Sequence, residues 1–226
     1  SSDKIEENSI SWPNANAGGT VVFHNIRKVA DVVITKSVSD PVNDNPAFEF
    51  SAVLGENDTY TFSLDGEDAS FTLGNGGTHI IRDVPVGAVV TIEETADNNY
   101  ITSSSVVSLQ TGDAAADAND SDHIVSFTQI AGGVTAAYTN TLKSWPVQFR
   151  LHDQNDSPLS GMFSLSRGSY SLFVMCYADE DNDGIFYSSN IFYAADYTLG
   201  QDIVPTGYSG LAGPAELSVS DSGITS

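Results

Sequence analysis

The stretch Val32-Val33-Ile34-Thr35-Lys36-Ser37-Val38 decides how this chain is read. In a β-strand alternate side chains share a face. Val32, Ile34, Lys36 and Val38 therefore form one row, and a lysine stands in an otherwise apolar line. Two later stretches repeat the pattern. Val90-Thr91-Ile92-Glu93-Glu94 puts Glu94 in line with Val90 and Ile92, and Val134-Thr135-Ala136-Ala137-Tyr138-Thr139-Asn140 puts Asn140 in line with Val134, Ala136 and Tyr138. A lysine, a carboxyl and a carboxamide are thus directed into one core. A strand slipped by one residue would present Glu93 in place of Glu94.

Around these stretches helical periodicity is nearly absent. Short alternating runs recur between Gly, Pro, Asn and Asp, which predicts an all-β architecture of sandwiches. Such runs are Phe48–Ala52, Tyr60–Leu64, His123–Phe127, Val147–Leu151, Gly161–Leu165, Leu172–Tyr177, Ile185–Tyr187 and Tyr197–Leu199, while residues 112–122 read as a solvated loop. One boundary is expected at Leu142-Lys143-Ser144-Trp145-Pro146 and another near Arg27-Lys28. They divide the chain into residues 1–28, 29–142 and 143–226. The first segment contains Gly19-Thr20-Val21-Val22-Phe23-His24-Asn25, which ends, like Tyr138-Thr139-Asn140, in an aromatic, a spacer and Asn. It reads as the closing strand of a preceding or neighbouring-subunit domain. The segment 143–226 has no comparable closing strand and is expected to lack its last one.

Composition narrows the function. Thirty acidic side chains face eight basic ones, a net charge of −22. No basic face for nucleic acid can be drawn, and an anionic membrane surface is disfavoured. No apolar run approaches the ~18 residues that span a bilayer, so membrane insertion is not expected. The single cysteine, Cys176, excludes an intrachain disulfide and reads as a small buried hydrophobe.

Burying Lys36, Glu94 and Asn140 is costly unless they satisfy one another. Burial disfavours charge, which favours a neutral Lys36 amine and a neutral Glu94 acid. A neutral amine is a nucleophile and a carboxamide an electrophile, and Glu94 between them is placed to shuttle protons while ammonia leaves. The product is a Lys36–Asn140 isopeptide bond, formed once without turnover, with Glu94 as the catalytic residue. It closes a loop of about 105 residues, worth roughly 4.7 kcal/mol in chain-entropy terms. An ordinary Lys36–Glu94 ion pair is the alternative.

These residues resemble the isopeptide-containing, immunoglobulin-like (CnaB-type and major-pilin) domains of Gram-positive pilins and adhesins. The matching motifs are Val33-Ile34-Thr35-Lys36, the turn Gly77–Gly87, Val90–Glu94 with Tyr100 following, and Ala137-Tyr138-Thr139-Asn140. The resemblance spans about residues 32–140 and implies tandem β-sandwiches, a first-strand lysine joined to a last-strand asparagine, and a glutamate beside the bond. Residues 143–226 resemble the same superfamily through Val147–Gly161 and Tyr197–Gln201, but Leu151 stands at the lysine position and Gln201 at the glutamate position. No isopeptide is expected there.

The loop Asp179-Glu180-Asp181-Asn182-Asp183-Gly184 has the DxDxDG spacing of a calcium loop, with Asp179, Asp181 and Asp183 as candidate ligands. Its twelfth position is Asn190 and not a bidentate Glu, so any Ca2+ site is expected to be weak, and a plain hairpin turn explains the same residues. The crosslink itself requires no cofactor. His24, His79, His123 and His152 lack metal spacing. The aromatics Trp12, Trp145, Tyr187, Phe192 and Tyr193 read as packing residues before a sugar-binding face.

The resulting expectation is an extracellular structural subunit, or one repeat, of a bacterial surface fibre such as a pilus or adhesin stalk. It is not a turnover enzyme. Its partner would be a second copy, joined head-to-tail through residues 19–25 and the 143–226 segment by strand donation. The alternatives are an adhesin module that binds a host surface protein or glycan, and an accessory domain of an extracellular enzyme.

Overall fold

The computed structural model describes residues 26–43, 45–55, 64–110, 119–121, 123–178 and 185–226. The strands are β1 (Val29–Ser39), β2 (Ala47–Leu54), β3 (Ser70–Gly74), β4 (Thr78–Pro85), β5 (Val89–Glu94), β6 (Tyr100–Ser108), β7 (Asn119–Ser121), β8 (Ile124–Thr128) and β9 (Val134–Leu142). They continue as β10 (Ser144–Arg150), β11 (Gly161–Arg167), β12 (Tyr170–Cys176), β13 (Ile185–Tyr193), β14 (Ala195–Ile203), β15 (Ala215–Ser220) and β16 (Gly223–Thr225). Among the described residues a single four-residue helix, α1 (Gly66–Ala69), precedes β3. The protein is all-β.

Strands from residues 29–142 make two facing sheets, in the orders β4-β1-β9-β6 and β3-β2-β5-β8-β7. β1 is antiparallel to β4 and parallel to β9, with Lys36 opposite Tyr138 and Val38 opposite Asn140. The inner faces follow the alternation in the sequence. Val32, Ile34 and Lys36 are buried on β1, Val90, Ile92 and Glu94 on β5, and Val134, Ala136, Tyr138 and Asn140 on β9. Glu93 is exposed, so the competing register is not the one adopted. Between the sheets, Phe50 meets Tyr138 edge-on at 5.1 Å and Tyr138 Oη donates to the Ile92 carbonyl at 2.8 Å.

Strands from residues 144–225 make two further sheets, in the orders β12-β11-β14-β15-β16 and β10-β13. Leu165, Val174, Cys176, Phe192, Tyr197, Leu217 and Val219 are their buried apolar side chains. Cys176 is a core residue, as its apolar surroundings in sequence suggest. Only Lys143 separates β9 from β10. Its backbone amide donates to the Asn99 carbonyl, its carbonyl accepts from Ala194, and its amine reaches Asp221 at 2.6 Å.

Several elements differ from the sequence reading. The expected loop 112–122 includes β7, a three-residue strand paired with β8. β13 and β14 run well beyond the short apolar cores that mark them in sequence, because β13 pairs with β10 again through Ile191–Tyr193 after a register shift and β14 pairs with β15 from Ala195 onward. The run Tyr60–Ser63, the segment Gly19–Asn25 and the loop Asp179, Asp181 and Asp183 lie outside the described residues.

Candidate functional site

The three residues singled out in sequence meet inside the first pair of sheets. Lys36 Nζ pairs with Glu94 Oε2, and Asn140 Nδ2 donates to Glu94 Oε1 at 2.6 Å. One carboxyl group therefore bridges the amine and the carboxamide. Glu94 and Asn140 are fully buried and Lys36 is 2% exposed. β1 and β9 are hydrogen-bonded neighbours in one sheet, and β5 delivers Glu94 from the facing sheet. The register sets Asn140 two residues beyond the position opposite Lys36, on the same face.

The walls of the site are aromatic. The Lys36 amine lies 4.3 Å from the centroid of Phe48 and 5.7 Å from that of Phe50. Phe50 stands opposite Glu94 on the neighbouring strand. Such surroundings cannot replace the hydration of an ammonium. Burial accordingly pushes the Lys36 amine below its ordinary value, while its contact with Glu94 pulls in the other direction and does not overcome it. The Tyr138 hydroxyl, also buried and near Glu94, is held well above the ordinary tyrosine range and stays protonated as a donor to Ile92. Asn140 Oδ1 is buried with no hydrogen-bond partner, so the carboxamide carbonyl is unsatisfied where it faces the site. An unsatisfied buried carbonyl costs on the order of 1–3 kcal/mol.

Tyr100, on the strand after Glu94, donates its hydroxyl to Asp40 Oδ2 and packs edge-on against Phe48 at 5.1 Å. It ties β6 to the segment leaving β1 and closes the aromatic wall. Gln129 is a buried polar residue that the sequence did not disclose. Its amide donates to the Ala30 carbonyl at 2.7 Å and holds the end of β8 to the start of β1. Phe48 and Phe50 were legible as alternate residues of one strand, but their position over a lysine was not.

In the second pair of sheets Phe163 stands opposite Gln201, as Phe50 stands opposite Glu94. Leu151, Phe163 and Gln201 line a cavity of about 220 Å³, and Gln201 Oε1 accepts from the Leu211 amide at 3.0 Å. This is the same place in the architecture, with no amine and no acid. Among the described residues no cluster of three or more His, Cys, Asp or Glu is arranged to hold a metal ion.

Over 85% of its length the chain matches the C-terminal fragment of the pilus adhesin SpaC from Lactobacillus rhamnosus GG, covering 82% of that chain at 13% identity with a TM-score of 0.50. The chain has the fold of pilin and pilus-adhesin domains. Partial matches to that fold include the major pilin protein T-13 of Streptococcus pyogenes, at 15% identity over 51% of this chain and 46% of that one, with a TM-score of 0.38. A Mobiluncus mulieris adhesin containing intramolecular disulfide, isopeptide and ester cross-links matches at 15% identity over 51% of this chain and 42% of its own, with a TM-score of 0.35. The chain thus spans less than half the length of these two partial matches. A family model described as a domain of unknown function (DUF5979) matches residues 32–141, the part that carries the Lys36–Glu94–Asn140 site. Curated protein sequences give no significant match. No helix among the described residues is long and apolar enough to cross a membrane.

Proposed function

We propose that this chain is a structural segment of an extracellular bacterial surface fibre, a pilus or adhesin stalk, locked by an isopeptide bond between Lys36 and Asn140. The observation that carries this reading is the buried carboxyl of Glu94 bridging the Lys36 amine and the Asn140 carboxamide. Lys36 Nζ attacks Asn140 Cγ, the Cγ–Nδ2 bond breaks, and one ammonia leaves. Glu94 takes a proton from the attacking nitrogen and delivers one to the departing nitrogen, so the acid is regenerated. The reaction is redox-neutral, runs once per chain and requires no cofactor. Residues 29–142 form the crosslinked sandwich and residues 143–226 a second sandwich without the chemistry. Copies are joined head-to-tail by donation of a strand.

Intact-mass measurement tests the crosslink. The native chain should weigh about 17 Da less than its sequence, one ammonia having been lost, and a Glu94→Gln variant should recover the full sequence mass. A native mass equal to the sequence mass sinks the crosslink.

A further inference from the structure

The two pairs of sheets follow one plan, except beside the first strand of each. β12-β11-β14-β15 repeats β3-β2-β5-β8, and β10 pairs antiparallel with β13 as β1 does with β4. The other edge of β1 carries the parallel strand β9, whereas β10 pairs among the described residues with β13 alone. The consequence shows in burial. Val32 and Ile34 are wholly buried, but Trp145, Val147 and Phe149 on the inner face of β10, and Leu151 just after it, are only half-buried. Two cavities flank that face. One, of about 330 Å³, lies between Trp145 and Val147 of β10 and Val219 and Ile224 of the β15–β16 hairpin. The other is the Leu151–Phe163–Gln201 cavity at the far end.

We infer that the edge of β10 away from β13 and these two cavities form one acceptor groove for residues 19–25 of a second copy, added as a parallel strand in the place β9 occupies beside β1. The inference rests on the fibre reading above and specifies its joint. Aligning Phe23-His24-Asn25 with Tyr138-Thr139-Asn140, and Leu151 with Lys36, sets Phe23 opposite Leu151, Val22 opposite Arg150 and Val21 opposite Phe149. Val21 and Phe23 then face inward, as Ala136 and Tyr138 do on β9. Phe23 enters the Leu151 cavity against Phe163, the counterpart of the Tyr138–Phe50 contact. The ladder begins after Pro146, which has no backbone N–H to offer.

The donor cannot be the same chain. The Lys28 carbonyl is bonded to Val86 at the start of β1. β9 runs parallel to β1, so β10 begins at the opposite end, and the second set of strands meets the first there, across Asn43, Asp97 and Asn99. The pairs Val32–Val134 to Ser39–Thr141 alone span about 23 Å. The three steps from Lys28 back to Asn25 reach at most about 11 Å. Donation is therefore between copies, and its head-to-tail repetition builds a filament. Because Leu151 has no amine, the joint is non-covalent.

Disulfide trapping in the full-length chain tests the register. Val22 and Arg150 are placed opposite each other on the outer face, and Arg150 is exposed. Mixing a Val22→Cys chain with an Arg150→Cys chain under mild oxidation should give a linked heterodimer at least tenfold faster than mixing Val22→Cys with Thr225→Cys, which samples the outer edge of β16. Equal or faster trapping at Thr225 overturns the assignment of the edge. Filaments by electron microscopy with no trapping at Arg150 overturn it too, while leaving the fibre reading in place. A chain that remains monomeric at all concentrations overturns both.

Discussion

Asn140 donates through Nδ2 to Glu94 Oε1 at 2.6 Å while its own carbonyl oxygen is buried without a partner. A half-turn of the carboxamide would place Oδ1 against the same Glu94 oxygen, and that contact is favourable only if the acid carries a proton. The turned form would pair the carbonyl and polarise it toward the Lys36 amine in exchange for the Nδ2 contact. Burial meanwhile holds the Lys36 amine below its ordinary value, toward the neutral form that attack on the carboxamide requires.

Replacing Asn140 with Ala removes the electrophile and leaves Lys36 paired with Glu94. Losing closure of the 36–140 loop should cost about 4–5 kcal/mol. For a domain of this size that lowers the melting temperature by on the order of 20 °C. Calorimetry on the native and variant chains measures it, and a shift of only a few degrees would argue that the three groups form a hydrogen-bonded cluster and nothing more.

The Glu94→Gln variant isolates the lysine. Both influences that raise the Lys36 pKa come from Glu94, so burial alone remains and pushes the amine further down. In the unfolded chain a lysine keeps its proton to about pH 10.4. Between the depressed folded value and that point the unfolded state binds more protons, so stability must rise with pH. Denaturant midpoints of Glu94→Gln should climb across alkaline pH toward 10.4, and those of a Lys36→Met/Glu94→Gln chain should not show that rise.

Why was the site legible while parts of the fold were not? Lys36, Glu94 and Asn140 each interrupt an alternating apolar row, and a sheet with one buried face converts that row directly into an inward direction. Glu94 continues the row of Val90 and Ile92, but a slip by one residue leaves Glu93 as a competitor in sequence, and only its exposure in the structure decides between them. What alternation cannot supply is which strands become neighbours. The parallel pairing of β1 with β9 depends on contacts about a hundred residues apart, and only the resemblance to pilin domains implied it. Short elements such as β7, β16 and α1 carry too few residues to show any period. Gln129 was invisible because its role, holding the Ala30 carbonyl, lies in tertiary contact and not in a motif.

The second sandwich should melt independently of the chemistry in the first. It has Leu151 and Gln201 where the crosslink would need a lysine and an acid, and a half-exposed inner face on β10. Calorimetry of the unassembled chain should therefore resolve two transitions, the lower from residues 143–226. Asn140→Ala should move the upper one and leave the lower in place. Peptide mapping after digestion should find one branched peptide, joining Lys36 to Asn140, and none from the second sandwich.

Gly133 offers the complementary test, a variant that strains the fold without touching the reactive groups. It immediately precedes β9 with φ of +77°, and a Cβ there would meet Leu109 Cδ1 at 2.7 Å and the Asp31 carbonyl at 2.9 Å. Its amide donates to Ile130 and its carbonyl accepts from Leu109, so the turn has little freedom to yield. Gly133→Ala should cost about 1–3 kcal/mol from the left-handed backbone alone, with the close contacts adding to it. Asn140 lies seven residues further along the strand, about 23 Å away. The ammonia loss should therefore persist in Gly133→Ala although the melting temperature falls, the reverse of the conservative Glu94→Gln exchange, which abolishes the mass loss. If Gly133→Ala also restores the full sequence mass, bond formation depends on the whole β1–β9 register and not on the local meeting of three side chains.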